Sequence, residues 1–337
     1  MTQYRSRLPQ LQGDLFLTDG GIETTLIFHD GFDLPHFAAF HLLRDEAGRR
    51  ALRHYYARYI EIARMEGTGF ILESPTWRAS PDWGRKLGYS DWQLDQANRD
   101  SVVLMQELRR QFEIRRTPIV VSGCVGPRGD GYDPGQAMSP KEAAAYHGRQ
   151  IRIFGAAGVD MVTAITMTNA NEAIGVTRAA QEAGVPVAIS FTLETDGRLP
   201  TGQGLKEAIE TVDAASSVGP AYYMINCAHP THFTEMLSAP GDWAGRIRGL
   251  RANASRCSHQ ELNEAPDLDD GDPVELGQQY AGLLRRHPQI NVLGGCCGTD
   301  HRHVEQIGMA CRRSRDGHAV DTHRHSNVKE SGQCVWI

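Results

Sequence analysis

The sequence predicts a single (β/α)8 barrel of the TIM type. Eight short β-rich runs, at residues 15–18, 69–73, 118–122, 161–166, 187–191, 222–225, 249–252 and 290–293, alternate with longer helical stretches. Eight such repeats within about 300 residues suit that architecture in size. No glycine fingerprint of the dinucleotide-binding kind is present, which weighs against the alternative of an open, doubly wound sheet.

Composition bounds the class further. The 337 residues can bury a sizeable core, and 40% hydrophobic with 23% charged residues is ordinary for a globular domain. A net charge of −6 argues against nucleic acid or an anionic membrane as partner. No run of eighteen apolar residues suggests a membrane span, and the first residues lack the apolar core of a secretory signal. The seven cysteines are odd in number and scattered, which suits a reducing compartment better than a disulfide framework. A cytoplasmic location is the expectation.

In a barrel of this kind the chemistry sits at the C-terminal strand ends, so the residues just past each run are the candidates. The first run ends in Thr18-Asp-Gly-Gly21. Asp19 offers a carboxylate, and Gly20 and Gly21 allow a ligand close to the backbone; a plain Asp-Gly turn is the alternative. Glu23 reads as an acid at a helix start, where the dipole favours it. Residues 36–66 read as one helix with Leu42, Leu52, Tyr56, Tyr59, Ile60 and Ala63 on its apolar face. The second run leads into Glu73-Ser-Pro-Thr-Trp-Arg78, which presents the hydroxyls of Ser74 and Thr76 and the indole of Trp77. An indole face attracts a sulfonium or quaternary ammonium through its quadrupole, although a tryptophan can also simply pack a loop.

Residues 91–112 form a second amphipathic helix, and the third run enters a Gly-Pro loop in which Cys124 reads as a small packed residue. Ser139-Pro-Lys-Glu142 is a helix start, with Ser as cap, Pro at the first position and Glu three residues on. The fifth run opens into a long glycine-rich loop at 193–205, a candidate lid. The sixth ends in Asn226-Cys227, followed by His229 and His232, which read as loop residues. After the seventh come Asn253 and Ser255, then an acidic stretch at 261–272 expected as an exposed loop, then a helix at 273–286. The eighth stops in Gly294-Gly-Cys-Cys-Gly298, where the glycines let the backbone turn.

Adjacent Cys296 and Cys297 cannot readily bond each other. Together with Cys227 they offer three thiolates from two strand ends. Zinc binds such sets tetrahedrally, and a catalytic site keeps the fourth position for water or substrate. Three buried, inert cysteines are the alternative.

The Gly-Gly-Cys-Cys-Gly turn and Asn226-Cys227 resemble the marks of the homocysteine S-methyltransferase family, of the S-methylmethionine- or betaine-dependent type. Asp19-Gly-Gly21, the run from Ser74 to Ser80 and Ser190-Phe-Thr192 are similar to it as well, so the resemblance spans roughly residues 14–310. It implies a homocysteine-binding barrel over 1–311; residues 312–337, charged, His-bearing and poorly periodic, read as a poorly ordered tail ending in a bare prenylation-like box at Cys334 that chance explains. The resemblance implies Zn2+ held by Cys227, Cys296 and Cys297, with the substrate sulfur in the fourth place. It further implies substrate contacts from Asp19, Gly20, Gly21, Ser74, Thr76 and Asn226, an onium methyl donor at Trp77, and methionine as product. Small-molecule substrates are then the only partners expected. The sequence departs from the family at Ile165, where a glutamate that helps bind the substrate ammonium is usual. Competing readings are a different thiol acceptor, or a binding barrel with structural zinc. A zinc hydrolase is less favoured, because three thiolates leave the metal less Lewis acidic.

Overall fold

In a computed structural model, which describes residues 2–133, 135–264 and 268–326, eight parallel strands close in sequence order. They are β1 (Phe16–Leu17), β2 (Gly69–Glu73), β3 (Ile119–Val125), β4 (Met161–Met167), β5 (Val187–Thr192), β6 (Tyr222–Asn226), β7 (Ile247–Ala252) and β8 (Val292–Gly295). The ring closes where Phe16 pairs with both Gly69 of β2 and Val292 of β8.

Side chains alternate across each strand. One parity, including Leu17, Phe70, Val121, Val162, Ile189, Tyr223, Leu250 and Leu293, packs outward into the large apolar layer under the helices. The other parity fills the barrel: Phe16, Ile71, Val120, Met161, Ala188, Tyr222, Met224 and Val292 form a separate cluster, with Leu8 beside them. Two residues further along the same parity the barrel turns polar, with Glu73, Ser122, Thr163, Ser190, Asn226 and Arg251 all buried. The apolar layer therefore floors a polar chamber at the C-terminal end of the strands.

The helices are α1 (Glu46–Glu66), α2 (Pro81–Lys86), α3 (Asp91–Phe112), α4 (Pro140–Ala157), α5 (Ala170–Glu182), α6 (Leu205–Ala214), α7 (Pro230–Phe233), α8 (His259–Glu264), α9 (Pro273–Arg286) and α10 (His301–Ser326). The expected start at Ser139 is present as a capping box with Glu142, and Ser90 with Gln93 forms another at α3.

Two expectations change. The helix expected over 36–66 begins only at Glu46, where Asp45 accepts from Gly48 N at 2.8 Å. Before it lie 3-10 turns, with His36 and Phe37 at positive φ, a backbone that no α-helix continues. The acidic stretch expected as a loop begins in the short helix α8. Residues 312–326, the first part of the stretch read as a tail, continue α10. Arg312 donates to Glu66 O at 3.1 Å and Arg315 to Gly13 O at 2.8 Å, so the start of the charged segment grips the barrel. Residues 327–337, with Cys334, lie outside the described residues. No helix among the described residues is long and apolar enough to cross a membrane.

Candidate metal centre and active site

The turn after β8 is built by its neighbours. A Cβ on Gly294 would collide with Thr18, and one on Gly295 with Thr299, so the backbone approaches β1 and the start of α10 as only glycine permits. Cys296 N donates to Ala252 O at 2.8 Å and Cys297 N to Asn253 Oδ1 at 3.1 Å, which fixes the turn against the end of β7. Gly20 and Gly21 pack closely against this turn: a Cβ on Gly21 would stand 2.6 Å from Cys296 O, and Gly20 faces Thr299 O.

The sulfurs of Cys227, Cys296 and Cys297 lie within 4.8 Å of one another. Cys227 is buried and reaches the cluster from β6 with a left-handed φ of 51°. Thr166, its neighbour at the end of β4, is also left-handed at 66°. Cys227 and Cys296 are joined in a disulfide, Cα–Cα 5.4 Å, with Cys297 free beside them. Two sulfurs brought to one point from the strands flanking β7 are within bonding reach.

Asn226, expected at the substrate, makes hydrogen bonds within the protein. Its Oδ1 accepts from Thr166 N at 2.9 Å and Ser190 Oγ at 2.6 Å, while its Nδ2 donates to Thr166 Oγ1 at 2.9 Å and Cys227 Sγ at 3.1 Å. It therefore orients a cysteine. Tyr132, which carries no signal in the sequence, places its hydroxyl 3.2 Å from Cys297 Sγ and stacks on His259 at 3.7 Å between ring centroids. Burial pushes the Cys297 thiol up and the His259 imidazole down, the latter to about 4.

Arg251 was likewise missed. It is one of two arginines in β7, and its inward register is what sets it apart from Arg248. Its guanidinium lies 2.7 Å from Asp19 Oδ1 and 2.5 Å from Glu73 Oε2, and its Nε donates to Gly295 O at 3.1 Å. Tyr55 donates its hydroxyl to Asp19 Oδ2 at 2.9 Å, so both oxygens of Asp19 have partners within the protein. Burial raises the Glu73 carboxyl to about 7 against the pull of Arg251.

Ser74 and Thr76 share a hydrogen bond of 2.7 Å. Ser74 Oγ accepts from Cys124 N at 3.0 Å, and Thr76 donates to Cys124 O at 2.7 Å. Both hydroxyls thus staple the end of β2 to β3. Trp77 is half-buried and donates to Ile165 O at 3.3 Å. The guanidinium of Arg78 covers its ring at 4.1 Å and that of Trp83 at 3.8 Å. Ile165 is buried but belongs to neither apolar cluster, as befits a hydrophobic residue at a polar chamber. Beside Trp83, a cleft of about 540 Å³ opens between the loops after β3 and β4, with Arg128, Asp130, Asn169 and Glu172 in its wall.

The sulfur set fits zinc. It supplies three soft donors on one side of a point, and Asn226 and Tyr132 offer hydrogen-bond donors of the kind that steady negative sulfur. The family profile described as Homocysteine S-methyltransferase matches residues 16–311.

The chain belongs to the homocysteine S-methyltransferase family.

It is an enzyme of that class. It is 25% identical to Homocysteine S-methyltransferase 4 of Zea mays over 320 residues, 90% of this chain and 91% of the maize protein. Over 166 residues it is 27% identical to Methionine synthase of Mycobacterium leprae, matching 48% of this chain and 13% of that one. In structure it is similar to the homocysteine methyltransferase MmuM of Escherichia coli. The oxidised form of MmuM superposes with a TM-score of 0.71 at 18% identity, over 91% of this chain and 99% of that one. The metallated form gives 0.66 at 17%, over 88% and 96%. At such identity the likeness shows the fold. The family membership and the three-cysteine cluster together support zinc-dependent methyl transfer to a thiol.

Proposed function

We propose that the protein moves a methyl group from a sulfonium donor of the S-methylmethionine type to the thiol of homocysteine, giving methionine. The observation that carries this reading is the convergence of three cysteine sulfurs within 4.8 Å at the C-terminal end of the barrel. Cys227, Cys296 and Cys297, in their reduced state, would hold zinc, which supplies the Lewis acidity that turns a substrate thiol into a thiolate.

The rest is the work of the chain. Asn226 and Tyr132 set the directions of the cysteine sulfurs. The Arg251–Asp19–Tyr55 network holds the first loop against the cysteine turn. The substrate sulfur attacks the donor methyl in line, a new S–C bond forms, and the sulfonium S–C bond breaks to leave a neutral thioether. Charge is lost as the donor reacts, so a water-poor chamber favours the step. Trp77 is the donor-side aromatic in this reading; since Arg78 already covers one side of its ring, the onium takes the opposite side. A sulfonium is favoured over betaine because it is intrinsically the more reactive methyl donor.

The test is a donor screen with reduced, zinc-loaded protein and homocysteine, measuring methionine formed. Turnover with S-methylmethionine well above that with betaine is expected. Turnover with betaine alone would reassign the donor, and no methionine from any onium donor would remove homocysteine as acceptor.

A further inference from the structure

Asp19 is poorly placed to receive a cation from outside, because Arg251 and Tyr55 already occupy its two oxygens. Glu23 differs. It precedes the π-helical turn Thr24–His29, and its neighbours on both sides touch the cysteine turn. Gly21 N donates to Thr299 O at 3.0 Å, and Thr24 Oγ1 accepts from Gly298 N at 3.1 Å. Glu23 is thereby carried to the rim of the sulfur cluster.

Its carboxylate acts electrostatically on Cys297 and on Tyr132. It is partly buried, and among the described residues the donor reaching it is its own backbone N–H. Arg78 and Arg251 influence it through space, without an ion pair among the described residues. It is not one of the groups within 4.8 Å of all three sulfurs, so it stands beyond the metal-binding set. Nor does β4 offer a charge nearby, since Ile165 is apolar. An acid held out of water without a cation is costly unless a ligand supplies one.

We propose that Glu23 receives the α-ammonium group of an amino-acid thiol whose sulfur lies at the cysteine cluster. The proposal rests on the functional reading above and names how that site tells an amino-acid thiol from a simple one. In homocysteine two methylenes separate the sulfur from the amino-bearing carbon, which lets one end sit at the cysteines and the other at a carboxylate on the rim. A charge-assisted contact of this kind discriminates by about tenfold or more.

The test is calorimetric binding of homocysteine and of 4-mercaptobutanoate, the same molecule without its amino group, to reduced, zinc-loaded protein. Wild type is expected to prefer homocysteine by about tenfold or more. Glu23→Gln, with zinc content unchanged, is expected to erase that preference by weakening homocysteine alone. Equal affinity of the variant and wild type for homocysteine, or an equal loss for both thiols, overturns the proposal while leaving the functional reading in place. If the variant does not fold, the wild-type preference decides: a ratio near one overturns the proposal. Binding of neither thiol by wild type overturns the functional reading and the proposal with it.

Discussion

The guanidinium of Arg251 stands between the carboxylates of Asp19 and Glu73, 2.7 Å from the first and 2.5 Å from the second, with all three residues buried. One cation from β7 therefore holds acids from β1 and β2 across the polar chamber. Removing it leaves two buried carboxylates facing each other. Arg251→Met should cost about 3–5 kcal/mol of stability, which urea unfolding would read as a large fall in midpoint. An unchanged midpoint would mean that water replaces the guanidinium at no cost.

The cysteine cluster makes a second prediction. Reduced protein should bind about one zinc per chain, and Cys296→Ala should lose metal and turnover together. The Cys227–Cys296 disulfide uses two of the same sulfurs, so oxidised protein should take up no zinc until a thiol reductant is added. Metal analysis before and after reduction checks both points; full zinc in Cys296→Ala would show that the site is wrongly assigned.

The donor side is tested at Trp77. Trp77→Phe should keep most of kcat/KM for an onium donor, and Trp77→Leu should lose about tenfold, near 1.4 kcal/mol. If Leu matches wild type toward every donor, the indole only packs against Arg78 and the loop.

Glu23 gives a pH dependence with a definite sign. Burial first, then the nearby Asp19, raises its carboxyl from 4.5 to about 7. A raised folded pKa means that its contribution to stability is fully present below the unfolded value and is lost as pH climbs through about 7. Glu23→Gln should therefore match wild type near pH 4 and exceed it above pH 7, by on the order of 2 kcal/mol once partial exposure is discounted. Parallel stability curves across that range would show that Glu23 is well solvated.

Much of the barrel was legible because strands in a closed parallel sheet leave compact apolar runs. The run at 69–73 coincides with β2, and the others fall within a few residues of their strands. The three cysteines were legible because each comes just after such a run. Arg251 was not, since nothing in the sequence separates it from Arg248 of the same strand until the ring closes and brings Asp19 and Glu73 to it. Ser74, Thr76 and Asn226 were read as ligand contacts because hydroxyls and amides at strand ends look alike whether they face a substrate or a backbone. The neighbouring strands add contacts that the sequence does not announce, Cys124 for Ser74 and Thr76 and Thr166 for Asn226. Glu23 reads as a helix-start acid in the sequence, because the lack of an ion pair to it among the described residues is a tertiary fact. The segment 36–44 misled because apolar spacing was counted without weighing Pro35.

Thr166 and Cys227 both hold a left-handed backbone that costs a non-glycine residue about 1–2 kcal/mol. Asn226, gripping Thr166 N and Thr166 Oγ1, is what keeps them there. The three cysteines are consequently not a portable motif. Grafted at the same strand ends of another barrel, they would relax into ordinary extended backbone and point their sulfurs apart. A working transplant would have to carry the end of β4, Ser190 and Asn226 along with the cysteines, and a host stable enough to bear the strain.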